Sequence, residues 1–292
     1  MYVTVLMNIS MQHIKKNYSN MPIHTILCDI DGSLMKPSSG LYVDEEIAKK
    51  IIALEEQGML VILNSARALS GVIPLSRQLK MDEFGGYVIC CNGANVKDAK
   101  NGHTLFEYAI QPHHALDIWH TIIKYQLVPG ILQPRQMLAL KMTKGYELDA
   151  KNCHIDYILT NKPEDGLKEA VWKCTASGTK IEIDRVFFSL KEELEKHLPV
   201  KVIRSTDTFV DIIDINVDKF RSSNQLLRQL YKSWDEVSVI GDGLADLECM
   251  KAASYCVAPA NAQLEVLKVA DQILPSCEEN GCLVWLDELL RK

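Results

Sequence analysis

The stretch Thr25-Ile26-Leu27-Cys28-Asp29-Ile30-Asp31-Gly32-Ser33 constrains this chain more than any other. A short apolar run ends in two aspartates spaced two apart, and a glycine follows. Apolar runs closed by such a turn form buried strands. Along an extended chain, residues two apart point to the same face. Asp29 and Asp31 are therefore expected to face one crevice at the carboxyl edge of a strand. Open α/β sheets bind their ligands at that edge.

The segments that follow repeat the pattern. Asp44 is expected to cap a helix over 45–57, where Ile47, Ile51 and Leu54 fall at helical spacing and Gly58 follows. Leu60–Leu63 reads as a second buried strand, ending in Asn64-Ser65-Ala66-Arg67. A helix over 70–80 and a third strand, Tyr87–Cys91, come next. Strands alternating with helices predict an α/β fold with a parallel sheet covered by helices. After Asn92 the texture changes. A hairpin is expected around Asn101-Gly102, then a helix over 113–125. Strands are expected at 137–142, 155–160, 181–189 and 209–213, with helices at 164–176 and 190–197. From Asp218 a long helix resumes, followed by the apolar strand Val237–Ile240 and the break Gly241-Asp242-Gly243. Short strands at Val257-Ala258 and Gln272–Leu274 close the chain. The middle block thus reads as a second module inserted into the first.

Composition narrows the function classes. The chain has 292 residues, 47% hydrophobic and 24% charged, which suits a globular protein of one large or two medium domains. A net charge of -6 argues against nucleic acid or an anionic membrane as partner. No apolar stretch approaches the roughly 20 residues that span a bilayer. The nine cysteines form no C-x-x-C pair, so free, mostly buried thiols in a reducing compartment, the cytoplasm, are expected. In residues 1–20 the apolar part, Tyr2 to Met7, precedes Lys15 and Lys16, the reverse of a signal peptide. This segment is expected to be a disordered extension or the product of an upstream start codon.

Four clusters lie at strand ends or open helices: Asp29 with Asp31, Ser65 with Arg67, Lys219, and Asp242 with Asp246. Each alone has an ordinary reading. Ser65 would serve as a helix cap, Asp246 as a first-turn carboxylate, and Lys219 as a solvated charge. Together they suit phosphoryl transfer. One carboxylate can attack phosphorus, and a second, two residues on, can protonate the leaving oxygen and then deprotonate water. Converging acids call for a hard divalent cation such as Mg²⁺. The phosphoryl oxygens need donors, which the Ser65 hydroxyl, the Lys219 ammonium and the N–H groups of the Gly32 turn can supply.

These strings resemble the haloacid dehalogenase superfamily, and within it the Cof-type subfamily IIB phosphatases. The first motif of that family, D-x-D-G-[TS], matches Asp29 to Ser33. Its second motif, commonly T-G-R, matches Ser65-Ala66-Arg67, and the subfamily string N-G-A matches Asn92-Gly93-Ala94. Its third, a lysine before a helix, matches Val217-Asp218-Lys219. Its fourth, G-D-x-x-N-D, matches Gly241 to Asp246, with Ala245 in place of the usual Asn. Ala66 for Gly and Ser33 for Thr are further departures. Ala258-Pro259-Ala260-Asn261-Ala262 and Ala270-Asp271 fit the closing segment.

The resemblance implies a Rossmann-like parallel-sheet core over 21–95 and 215–292 and an inserted α/β cap of the C2 type over 96–214. Ser65 and Lys219 are 154 positions apart, far more than a simple crossover needs. It further implies that Asp29 is the nucleophile and a Mg²⁺ ligand. Asp31 would be the general acid and base, its carbonyl also on the metal, and Asp242 the third protein ligand. Ser65 and Lys219 would hold the phosphoryl group, and Asp246 would orient Lys219 or a water on the metal. Arg67 and Asn92 would lie beside the substrate or the cap hinge. The expected activity is Mg²⁺-dependent hydrolysis of small phosphate esters, sugar phosphates foremost, by a monomer or small homo-oligomer. A phosphomutase of the phosphomannomutase type and a non-catalytic sensor of phosphorylated ligands are the alternatives. In the cap, Arg135, Lys141 and Lys144 are candidates for choosing the substrate, although each also reads as an exposed charge, and His113 and His114 are expected on a helix surface.

Overall fold

The computed structural model describes residues 22–37 and 39–291. The expectation for residues 1–20 lies outside them. Fourteen strands of the described residues form two sheets.

The first sheet holds eight strands. β1 (Thr25–Cys28), β2 (Leu60–Asn64), β3 (Tyr87–Cys90), β4 (Asn95–Asp98) and β5 (Thr104–Glu107) come from the first half of the chain. β12 (Val237–Ile240), β13 (Tyr255–Pro259) and β14 (Gln272–Leu274) come from its end. Their order is β14-β13-β12-β1-β2-β3-β4-β5. The pairs from β14 to β3 are parallel, whereas β4 and β5 add antiparallel. The six parallel strands are mostly apolar, with Thr25, Asn64, Ser238 and Gln272 as polar exceptions, because helices cover both faces. Ile26, Val61, Leu63 and Ile240 point into one core layer; Leu27, Ile62 and Val239 point into the other. Each such fully buried side chain contributes about 1.5–3 kcal/mol. Asp44 caps the Glu45–Glu56 helix through the Glu46 N–H at 2.8 Å, as its position in the sequence suggests.

The second sheet runs β10-β11-β9-β6-β7-β8. It comprises β6 (Val128–Leu132), β7 (Gln136–Ala139), β8 (Asp156–Leu159), β9 (Lys173–Ser177), β10 (Val200–Arg204) and β11 (Phe209–Asp214). Two helices, Pro112–Lys124 and Lys180–His197, pack on one face. Two expectations fail here. The helix expected over 164–176 is a short 3-10 turn, Pro163–Gly166, followed by strand β9. The strand expected over 181–189 is the first half of the Lys180–His197 helix. Ile181, Ile183, Val186, Phe187 and Phe188 carry the residue types of a strand. The reciprocal cap between Thr179 and Glu182 starts a helix instead. Only Ile183, Leu190 and Leu194 of it are buried, while Ile181 and Phe188 remain 80% and 79% exposed.

A seam of apolar side chains joins the two sheets. Ala68, Cys91 and Ala94 from the first side meet Leu132, Met137, Trp172 and Ile213 from the second. The Trp172 indole also donates to Glu107 Oε2 at 2.8 Å.

One buried carboxyl group stands out beneath the first sheet. Glu55 is 5% exposed, and neither carboxylate oxygen has a hydrogen-bond partner. Burial, with a smaller push from Asp82, raises its pKa from 4.5 to about 8. The proton bound in the folded state stabilises it fully below the unfolded value, and this stability is lost as pH climbs from about 4.5 through about 8. Glu55→Gln is expected to flatten that decline and to raise stability at pH 7 by about 1–2 kcal/mol after allowance for solvent screening. Denaturant melts at pH 5 and pH 8 measure it; parallel pH profiles for both proteins would refute it.

Candidate active site

The site forms at the carboxyl edge of the first sheet, where β1 lies between β12 and β2. β1 delivers Asp29 and Asp31, β2 delivers Ser65 and Arg67, and β12 delivers Asp242. The short turn after β12 carries Asp246, and the Lys219–Gln229 helix begins with Lys219. The residues singled out in the sequence thus gather at one sheet edge.

Lys219 is the centre of charge. Its ammonium donates to Asp29 Oδ1 at 2.7 Å and to Asp246 Oδ1 at 2.8 Å. All three side chains are nearly inaccessible to solvent. Burial alone would lower the Lys219 pKa, but Asp246 and Asp29 more than reverse this and hold it charged. Burial raises the Asp29 pKa, Lys219 opposes it, and Asp246 and Asp242 add to the rise. Burial and then Asp246 likewise raise that of Asp242.

One ammonium therefore faces three carboxylates. Asp29, Asp242 and Asp246 each place an oxygen within 4.8 Å of the others. Asp29 Oδ2 is buried with no hydrogen-bond partner. An orphaned, buried anionic oxygen is costly. All the donors are hard oxygens, so the arrangement fits a hard divalent cation.

Gly32 shapes the edge. Its φ of +83° is the left-handed region, and a Cβ built there would lie 2.2 Å from Asp242 Oδ2. The glycine lets the Asp242 carboxylate lie directly against the turn. Asn261 braces the same turn by donating to the Gly32 carbonyl at 2.8 Å, while its own oxygen accepts from Cys277 N at 2.9 Å and Ser276 Oγ at 3.2 Å. Sequence reasoning noted Asn261 only as part of a family string. Its role as a brace shows only when the C-terminal loop is seen against the Gly32 turn.

Asp31 stands apart from the acidic trio. Its two oxygens accept from Arg67 Nη2 at 2.7 Å and Nε at 2.6 Å. This two-pronged pairing fixes the plane of the carboxylate. Arg67 is itself held by the carbonyls of Gly40 at 2.8 Å and Gly71 at 3.3 Å. Ser65 is buried, and its hydroxyl accepts from Arg67 N at 3.1 Å. Asn92 adopts a left-handed backbone, and its N–H donates to the Ser65 carbonyl at 3.0 Å. Ser65 and Asn92 are thus coupled through the main chain. Ala245 is exposed, so the position where the resemblance expects Asn faces solvent.

In the second sheet, Arg135 is exposed and pairs with Glu169. His113 and His114 lie on the Pro112–Lys124 helix, as expected, His113 exposed and His114 half-buried. All nine cysteines are buried. Among the described residues no helix is long and apolar enough to cross a membrane.

A family model described as haloacid dehalogenase-like hydrolase matches residues 26–286. The 5-amino-6-(5-phospho-D-ribitylamino)uracil phosphatase of Bacillus subtilis is 22% identical over 267 residues, spanning 89% of this chain and 92% of its own. A putative phosphatase of Streptococcus pyogenes is 23% identical over 267 residues, spanning 89% of this chain and 96% of its own. A crystal structure of a haloacid dehalogenase-like hydrolase from Bacteroides thetaiotaomicron superposes with a TM-score of 0.85 at 25% identity, covering 91% of this chain and 99% of that one. A Thermotoga maritima structure shares the fold, with a TM-score of 0.79 at 22% identity over 91% of this chain and 97% of that one.

Proposed function

The chain belongs to the haloacid dehalogenase-like hydrolases and is a phosphatase of their Cof type, and on that premise we propose that it hydrolyses small phosphorylated metabolites, sugar phosphates foremost, through an aspartyl-phosphate on Asp29. The carrying observation is the buried Lys219 ammonium bridging Asp29 and Asp246, with Asp242 beside them and Asp29 Oδ2 unpartnered. The relative whose name specifies a phosphorylated ribityl group supports a substrate of that size and polarity.

Each step has a residue suited to it. A carboxylate oxygen of Asp29 attacks phosphorus, and the ester oxygen departs with the bonding pair. Asp31 gives the departing oxygen a proton. Water then loses a proton to Asp31 and attacks the same phosphorus. The Asp29–phosphorus bond breaks and inorganic phosphate leaves, restoring both carboxyl groups. Arg67 orients Asp31 for both proton transfers through its paired hydrogen bonds. Lys219 and the Ser65 hydroxyl neutralise and bind the phosphoryl oxygens. Asp246 fixes the ammonium of Lys219.

Asp29 and Asp242, with the main-chain carbonyl of Asp31, would hold Mg²⁺, which screens the phosphoryl charge from the attacking carboxylate. The second sheet serves as the cap, and water exclusion is its contribution. Buried cysteines with no C-x-x-C pair among them suit a cytoplasmic enzyme.

Hydrolysis of p-nitrophenyl phosphate, with Mg²⁺ and after chelation, tests the reading. Turnover is expected to vanish on chelation and to return with Mg²⁺; undiminished turnover in chelator would exclude the mechanism. A panel of sugar phosphates then ranks substrates. Gly32→Ala probes the same arrangement. The new methyl meets the tip of the Asp242 side chain, so Asp242 is what gives way. The Mg²⁺ concentration for half-maximal activity should rise by about tenfold or more, while the left-handed alanine costs about 1 kcal/mol of stability. An unchanged Mg²⁺ requirement would remove Asp242 from metal binding.

A further inference from the structure

A groove of about 730 Å³ lies on the outer side of the Lys219–Gln229 helix, on the face opposite the buried Lys219. It is bounded by Tyr108, on the segment that leaves β5 for the second sheet, and Asn216, on the segment that returns from β11. Its floor is the helix face bearing Arg221, Asn224, Gln225 and Arg228. These residues fall at helical spacing, three, four and seven apart. The groove therefore sits where the chain crosses twice between the sheets.

Its chemistry is one-sided. Two guanidiniums line it and no carboxylate does. Among the described residues neither Arg221 nor Arg228 forms an ion pair, although the chain carries a net charge of -6. Arg221 donates instead to the Asn216 side-chain oxygen at 2.5 Å. The acid nearest in sequence, Asp218, is engaged in capping the Arg221 N–H at 3.0 Å. Tyr108 donates to Gln225 Oε1 at 2.6 Å and Trp234 to Asn224 Oδ1 at 3.1 Å. Both interactions occupy the amide oxygens, so what these two amides still have to offer is their N–H₂ donors. The lining thus offers cations and donors with few acceptors.

We propose that this groove is an anion site, separate from the catalytic edge, for a small molecule carrying two linked phosphate groups. Guanidinium matches phosphate with paired hydrogen bonds. Residues seven apart stand about 10 Å apart along a helix, within reach of two long side chains closing on a diphosphate. The volume falls in the range of small-ligand sites, about 300–1,000 Å³.

Titration calorimetry of the full chain with inorganic pyrophosphate, with chelator present, tests this. One equivalent should bind to the unaltered protein. The double variant R221Q/R228Q should bind about tenfold more weakly or worse, because each lost charge-assisted contact is a large share of so small a ligand's affinity. Its p-nitrophenyl phosphate turnover without pyrophosphate should match the parent, which establishes that it is folded. Should the double variant fail to fold, R228E at the exposed end of the groove carries the same expectation. Absence of binding at about 1 mM pyrophosphate, or equal affinity in the parent and in a folded variant, would overturn the proposal.

Discussion

Asp29→Asn is expected to lower kcat by on the order of 10⁴-fold or more while leaving the fold intact. An amide oxygen is a poor nucleophile towards phosphorus, and no neighbour replaces it, because Asp31 is clamped by Arg67 and Asp246 by Lys219. Stability should hold or rise. Asp29 is buried between two other carboxylates and shares one ammonium with Asp246. Removing its charge relieves repulsion and leaves the Lys219–Asp246 pair in place. Loss of activity without loss of stability is the pattern of a group held in an unfavourable setting for its chemistry. Single-turnover phosphate release and a thermal melt on the same preparation measure both halves. Turnover within tenfold of the parent would take Asp29 out of the reaction.

Lys219→Met is expected to do the opposite to stability. Both Asp29 and Asp246 would stay buried without their shared cation. Breaking a buried pair by removing one partner costs about 3–5 kcal/mol, and the thermal midpoint should fall by roughly 10 °C. Turnover should fall as well, because the phosphoryl oxygens lose their positive partner. Added Mg²⁺ should restore part of the lost stability, since a cation on the carboxylates replaces missing charge. A melt that ignores Mg²⁺ would show that the carboxylates hold no ion.

The site was legible in the sequence. Its residues lie at strand ends and a helix start, and each stretch carries an unmistakable apolar run or turn. Pattern placed Asp29, Asp242, Asp246 and Lys219 at strand ends and a helix start, and the ordered motifs of the family resemblance assigned them to one site. The bidentate hold of Arg67 on Asp31 was not readable, because it depends on where a long side chain points. Nor was the brace from Asn261 to Gly32, which joins residues 229 positions apart. The second sheet was read least well. Ile181 to Phe188 have the composition of a strand, and only the Thr179–Glu182 cap decides for a helix. Strands Val128–Leu132 and Val200–Arg204 passed unnoticed because Pro129 and Gly130 interrupt one and Lys201 and Arg204 dilute the other.

The position of β1 between β2 and β12 has a consequence for biosynthesis. Ribosomes add about 5–20 residues per second. The first strand therefore waits roughly 10–40 s for its second neighbour to emerge. Until then one of its edges has no partner, a state in which a nascent chain is prone to stray pairing and in need of chaperone shelter. Asp29 is made early and Asp242 late, so under the proposed mechanism a truncated translation product is catalytically silent however well its first half is built.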